Sequence, residues 1–295
     1  MILNKNNFTK VINNHFIFEK NPIIAVGVSG GPDSMALILL LNEWLKKEKG
    51  KLIALIVNHN LRKNSKAETI LVKNFLEKKK INSKILNVKK SLIQKKSMNE
   101  ARYNRYNLLI NYCNKNKILN LFLAHHKDDN LETFLTRKIS GSDFEGLESM
   151  KLTALRNKTI IGRPLLYFSK KEILKYNSKN KIYFVNDPSN QNYKYTRPFI
   201  RNYINNLSIK NYYEIENDFR TIKKYSPKYK RMIDEILIKN TFGISKNRIQ
   251  IKNKNFQELD FLIAEKITKK IYHFFYDQNV FLRSKKIQIF LSELK

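Results

Sequence analysis

Residues 29 to 34 read Ser-Gly-Gly-Pro-Asp-Ser, between an apolar run, Ile23 to Val26, and a second apolar stretch, Met35 to Leu41. These types in this order suit an anion. A strand that ends in a tight glycine turn and opens a helix leaves the first amides of that helix pointing outward, and the helix dipole adds partial positive charge there. Gly30 and Gly31 permit positive φ and close backbone approach, and Pro32 suits the first helical position. Ser29 and Ser34 supply hydroxyl donors for phosphate oxygens. Asp33 fits only if a cation lies between its carboxylate and the phosphate, which points to a magnesium-bound pyrophosphate. The spacing lacks the Gly-Lys-Ser/Thr of a Walker loop and does not match the dinucleotide fingerprint. A plain strand-to-helix turn capped by Ser34 or Asp33 is the alternative.

Further along, Leu123 to Thr133 gathers His125, His126, Asp128, Asp129 and Glu132. Adjacent side chains on one short loop cannot all converge on one metal ion. Asp129 with Glu132 three residues on also fits a capping box, which needs no catalytic role. Arg102 and Arg105 fall on neighbouring turns of one helical segment, leaving Ala101, Leu108 and Leu109 to face a core. Two guanidiniums presented together suit bidentate phosphate recognition, though a solvated basic face gives the same pattern. Arg197 and Arg201 stand four apart at a helix start near Tyr193 and Tyr195, a mixture of cation and ring suited to phosphate and base stacking.

Short β-branched runs alternating with longer helical periods must position these residues. The pattern predicts strands at Pro22 to Val28, Leu52 to Val57, Ser83 to Val88 and Asn120 to Ala124, with a weaker one near Ile182 to Val185. Helices are predicted at Asp33 to Lys47, Ser65 to Lys80, Met98 to Asn116 and Leu131 to Ile139. Such alternation predicts an α/β fold, a Rossmann-like parallel sheet with helices on both faces, whose ligands bind at the carboxyl ends of the strands. Beyond residue 206 the texture is Lys-rich, Tyr-rich and helical, as in Phe256 to Phe275, without strand alternation. The expected organisation is a catalytic domain over 1–206 and a smaller helical, basic tail domain over 207–295.

The chain is 42% hydrophobic, enough for a packed core, and carries a formal charge of +32. That charge favours a polyanionic partner through counterion release, although a Lys-, Asn- and Ile-rich composition also reflects A+T-rich coding. The single cysteine, Cys113, excludes an internal disulfide and a thiolate cluster and fits a reducing compartment. The stretch MILNKNNFTKVINN lacks a signal-peptide core, and no run approaches the roughly 18 apolar residues of a membrane span. A cytoplasmic protein with no membrane partner is expected.

With these motifs assembled, VSGGPDS resembles the pyrophosphate loop of the N-type ATP pyrophosphatases, the PP-loop superfamily, and the chain most resembles the tRNA(Ile)-lysidine synthase family from about residue 20 to 205. VNHNLRKNSKAE resembles a second family block, keeping His59 and Arg62 but with Asn58 where an Asp is usual; Arg163 to Leu166 and Val185 to Ile204 complete the match. Ser140, Asp143, Pro198 and Phe199 depart from the pattern. The resemblance implies a ligase that uses ATP and Mg²⁺ to join free L-lysine to the wobble cytidine of a CAU anticodon in tRNA(Ile). It implies that Ser29, Gly30, Gly31, Pro32, Asp33 and Ser34 hold the pyrophosphate, with Asp33 meeting magnesium through it. Arg105 and Arg197 would offset charge at the α-phosphate. His125, Asp129 and Glu132 would receive the lysine ammonium and help deprotonate it, and Arg201 would touch tRNA. The tail would assist tRNA binding or offer a homodimer surface. The rival expectations are a sulfur transferase, disfavoured by the lone cysteine, another ATP-pyrophosphatase synthetase, and a non-catalytic RNA-binding protein.

Overall fold

The computed structural model describes residues 1–58, 65–88, 98–185, 196–246, 248–252, 256, 258–276 and 282–293. The chain divides into two compact units, the first comprising residues 1–142 and 149–216, the second 143–148 and 217–295.

The first unit is built on a six-stranded sheet. Strands β1 (Ile23–Val28), β2 (Lys51–Asn58), β3 (Asn82–Asn87), β4 (Asn120–Phe122) and β6 (Thr159–Gly162) are parallel, and β5 (Thr153–Arg156) pairs antiparallel with β6. The order is β3-β2-β1-β4-β6-β5. Because parallel strands cannot be joined by a hairpin, each return crosses a face of the sheet, here as α2 (Pro32–Glu48), α3 (Ser65–Lys78) and α4 (Met98–Lys115). Period-two side chains then make two cores. Ile24, Val26 and Val28 of β1 with Ala54 and Ile56 of β2 pack against α2, α3 and an N-terminal helix, α1 (Lys5–His15). Ala25 and Leu55 face the other way, onto Tyr106, Leu109, Ile110 and Cys113 of α4.

The predicted strands at residues 22–28, 52–57, 83–88 and 120–124 and the predicted helices are present within a few residues, except that α5 (Lys127–Ile139) starts four residues before the predicted Leu131. The weak strand near Ile182 is instead a lone extended segment, tied back by Val185 N–H to the Gly30 carbonyl at 2.9 Å. Having no ladder, it joins no sheet. The β5–β6 hairpin and α1 were not anticipated, and α1 begins on an Asn4 cap whose Oδ1 accepts from Asn7 N at 2.8 Å.

The second unit is mainly helical, with residues 217–240 of α9 (Ile209–Asn240), α10 (Phe261–Phe275) and α11 (Ser284–Glu293), and Ile233, Phe256, Ala264 and Ile267 as its core. Contrary to expectation it also contains a hairpin, β7 (Thr241–Ser245) with β8 (Arg248–Ile251). Strands this short leave too few alternations to stand out beside long helices. The segment 143–148 contributes a one-turn helix, α6 (Phe144–Leu147), to this unit: the Phe144 ring packs at a tilt 5.3 Å from Tyr229, and Lys266 pairs with Asp143 at 2.8 Å and Glu145 at 3.0 Å. No helix among the described residues is long and apolar enough to cross a membrane.

At the β4–β6 junction, a Cβ at Gly162 would sit 2.8 Å from Phe122 and 2.9 Å from Phe16. Both rings are buried. Gly162→Ala should therefore cost about 1–3 kcal/mol by overpacking, measured by urea unfolding; an unchanged midpoint would contradict this packing.

Candidate active site

Strand order reverses between β1 and β4, and such a switch point leaves a crevice beyond the carboxyl ends of the two strands. The loop after β1 and the loop after β4 both open there. In the first, Gly30 takes φ +84°, which a β-carbon disfavours, and a Cβ would also meet Val72 at 2.6 Å. Gly31 is the α2 N-cap and Pro32 its first residue, so the first-turn amides gain no side-chain cap. The serines lock the turn. Ser34 Oγ donates to the Gly31 carbonyl at 2.9 Å, accepts from Ser29 N at 3.2 Å and lies 3.2 Å from Ser29 Oγ, which accepts from Gly31 N at 3.3 Å. The predicted loop residues are thus brought together as one preformed turn.

Lys170, which the sequence had not drawn attention to, reaches Asp33 with its Nζ 2.6 and 2.7 Å from the two carboxylate oxygens. It opens α7 (Lys170–Lys179), whose Ser169 and Glu172 form a capping box. Its amide donates to Asp128, and Asn177 of the same helix donates to the Pro32 carbonyl at 2.9 Å. One helix therefore fastens both loops. The preceding Arg163 is buried; one guanidinium nitrogen donates to the Lys151 carbonyl at 2.9 Å, while its Nε has no partner.

The β4 loop corrects the sequence expectation about its cap. His126, not Asp129, is the N-cap of α5: its Nδ1 accepts from Asp129 N at 3.4 Å and its amide donates to Asp129 Oδ2 at 3.1 Å. Histidine is uncommon at this position, so the motif was invisible. Glu132, one turn on, is buried and held in a bidentate fork by Arg201 of α8 (Thr196–Asn205), at 2.6 and 3.0 Å, and Arg201 stands 3.8 Å from Asp129. Arg201 was expected on tRNA. Its guanidinium offsets one of the two carboxylate charges, and its hydrogen bond to Glu132 raises its own pKa, aided by Asp129 and Asp33.

The environments pull these groups apart. Burial lifts the Glu132 carboxyl above the usual glutamate range against the opposing Arg201. Asp129, which burial would also raise, is held on balance below the usual range by the His126 and His125 rings, the His126 amide and Arg201. His125 is driven down to about 3, chiefly by burial, with Arg102, Arg163 and Arg105 adding to the drop and Asp129 opposing it. Its Nδ1 is buried without a partner. Arg102 and Arg105 are thus felt electrostatically at His125, and they flank Tyr106 at 5.4 and 5.9 Å from its ring.

Asn58 caps the end of β2, buried, with its amide donating to Asn87 Oδ1 at 3.1 Å; a carboxylate there could not make that bond. Ser140 caps α5, and Asp143 is committed to Gly146 N and Lys266. Arg197 lies on α8, but its side chain is outside the described residues, as are His59, Arg62, Tyr193 and Tyr195. Cys113 is buried in the α4 core, with its thiol pushed up to about 12. Such a thiol is neither a nucleophile nor a ready ligand.

A parallel sheet with a glycine turn of anion-binding geometry at its switch point defines an α/β domain of the PP-loop class. A family model for the PP-loop domain matches residues 3–208, and the chain belongs to that family. It is similar to the tRNA(Ile)-lysidine synthase of Orientia tsutsugamushi (strain Boryong), 38% identical over 196 residues that make up 66% of this chain and 44% of that protein. It is likewise similar to the tRNA(Ile)-lysidine synthase of Wolbachia pipientis wMel, 41% identical over 199 residues, 66% of this chain and 45% of that protein. The chain thus spans less than half the length of these curated relatives. Among solved structures it is similar to the U34-tRNA thiolase NcsA from Methanococcus maripaludis, with a TM-score of 0.61 at 21% identity over 75% of this chain and 80% of that one, a likeness of fold.

The depressed His125 pKa means that stability from its neutral ring is complete above the unfolded value of about 6.5 and fades as pH falls towards the folded one. Nitrogen-15 NMR should find this imidazole neutral at pH 5; a titration near 6.5 would contradict its burial. For Glu132 the sign is opposite, because its raised pKa favours the fold at low pH and disfavours it once pH climbs past the folded value. Arg201→Ala should remove the counter-charge and lift that pKa further, so the loss should be larger at pH 7 than at pH 5. A loss of about 2 kcal/mol at pH 7 is expected, less than for a fully buried pair because Arg201 is 43% exposed. Urea unfolding at the two pH values measures it, and equal losses would count against the fork.

Proposed function

We propose that the chain is an ATP-dependent ligase that joins free lysine to the wobble cytidine of a CAU-anticodon tRNA(Ile), releasing AMP and pyrophosphate as lysidine forms. The observation that carries this proposal is the convergence, at one switch point, of a phosphate-type glycine turn with a carboxylate pair suited to an ammonium. The names borne by the relatives agree with it. In the first step the cytidine ring carbonyl oxygen attacks the α-phosphate and pyrophosphate departs. In the second the lysine side-chain amine attacks the activated ring carbon, loses a proton and expels AMP.

The loop residues Ser29 to Ser34 would cradle the departing pyrophosphate. The fit rests on Gly31, where an added Cβ would meet only Ser29 Oγ, at 3.5 Å, leaving room beside the turn. Magnesium, when bound, would supply charge neutralisation there, and Asp33 is the carboxylate able to hold it together with phosphate oxygens. Among the described residues no group of three or more His, Cys, Asp or Glu side chains could hold an ion by itself. Lys170 neutralises Asp33 at the edge of the turn. Arg105, Arg102 and Arg197 would balance charge at the α-phosphate.

Two carboxylates with opposed shifts divide the second step. Asp129, held ionised, would attract the lysine ammonium, and Glu132, the stronger base, would take its proton. His125 is too weak a base for that role and serves as a neutral hydrogen-bonding wall. Arg201 positions the pair. The buried Cys113 weighs against sulfur transfer.

Incubation with ATP, lysine and an unmodified CAU transcript should add one lysine, less water, to a single cytidine by mass, and AMP should accumulate. Asp33→Ala and Asp129→Ala should each lower the rate by about 10²–10³ or more while RNA binding persists. Normal turnover in either variant, or ADP as the product, would overturn the assignment.

A further inference from the structure

Helix α7 has a second face that the site does not use. Lys171, Lys175 and Lys179 recur every four residues, so their side chains share one stripe about 12 Å long. All three are exposed, and none makes an ion pair or hydrogen bond with the described residues. Like charges at this spacing repel and weaken a helix, a cost that a polyanion would remove. The stripe forms one wall of a groove of about 640 Å³ closed on the other side by residues 2–6, including Lys5. Leu3 and Tyr176, both buried, help form its apolar floor. Its one acid, Glu172, is spent on capping Ser169 with the same Oε2, at 2.7 Å to the amide and 3.0 Å to the hydroxyl.

We propose that this groove docks the phosphodiester backbone of the RNA substrate, with the α7 lysines neutralising successive phosphates next to the catalytic loop. The proposal rests on the ligase function above for its choice of RNA. What favours RNA over a free anion is continuity: Lys170, adjacent to the first lysine of the stripe, already touches Asp33, so a strand lying along α7 begins one residue from the glycine turn. An extended row of unpaired ammonium groups over an apolar floor matches a chain of phosphates with bases, whereas a single small anion would use one or two of them.

The test compares the whole chain carrying Lys171→Gln, Lys175→Gln and Lys179→Gln with a charge-matched control carrying Lys78→Gln, Lys79→Gln and Lys80→Gln. The control residues end α3 and lead into β3, at the amino ends of the parallel strands and so opposite the carboxyl ends that face the site. Fluorescence anisotropy of a labelled anticodon stem-loop transcript across a KCl series reads the salt slope. The α7 variant should lower the slope by about two, since each phosphate contact with a single strand contributes roughly 0.7. The control should leave it unchanged. In turnover the α7 variant should raise KM for the transcript about tenfold or more at constant kcat, with an unaltered melting temperature. Slopes and KM values equal to those of wild type, or changed equally in the control, would overturn the groove. Anisotropy does not depend on turnover, so a wild-type chain that binds the transcript without adding lysine would sink the ligase assignment and leave the groove to be judged on its own slope.

Discussion

Two parallel strands that lie side by side but send their connecting helices to opposite faces cannot both cover the space beyond their ends. In this chain β1 leads to α2 on one face, while β4 is reached through α4 on the other, and the uncovered space between them receives the glycine turn and the β4 loop. Nothing in either loop chooses the location. The pairing of Ile24 with Asn120 and of Val26 with Phe122 fixes how far each strand extends, and therefore that Ser29 and His125 emerge near one another. Beside them, Phe122 pairs with Gly162, so Arg163 emerges from β6 next to β4.

Once several charged groups are brought to one crevice, electrostatics decides what each can do. Carboxylates taken out of water are tolerated only with partners, and each acid here has one: Asp33 has Lys170, Asp128 the Lys170 amide, Glu132 the Arg201 fork. Arg201 and Lys170 come from consecutive helices, and both converge on carboxylates that the first half of the chain supplies, 69 and 137 residues away. These pairings sit inside a chain of formal charge +32.

How much of this was legible depended on whether the cause was local. The glycine turn could be read because φ, capping and dipole act within six residues. The sheet could be read because alternation of β-branched runs and helical periods is itself a local pattern. Lys170 could not, because its meaning comes from Asp33, 137 residues away, and a lysine in a lysine-rich chain carries no mark. Arg201 was singled out, but its fork with Glu132 was not foreseen for the same reason: only the folded chain brings the two side chains together. The His126 cap was missed because histidine is a rare choice there. Asn58 shows the reverse case, a visible departure from a familiar pattern whose bond to Asn87 on the neighbouring strand only the folded chain displays.

The path of the chain through α6 has a practical corollary for anyone wishing to shorten the protein. Because 143–148 leaves the first unit and returns to it, cutting after Glu216 would not separate the two cleanly. It would strip Phe144 of Tyr229, and Asp143 and Glu145 of Lys266, leaving an aromatic ring and two acids stranded on a surface loop. A fragment meant to stand alone would need that loop rewritten as well as the tail removed.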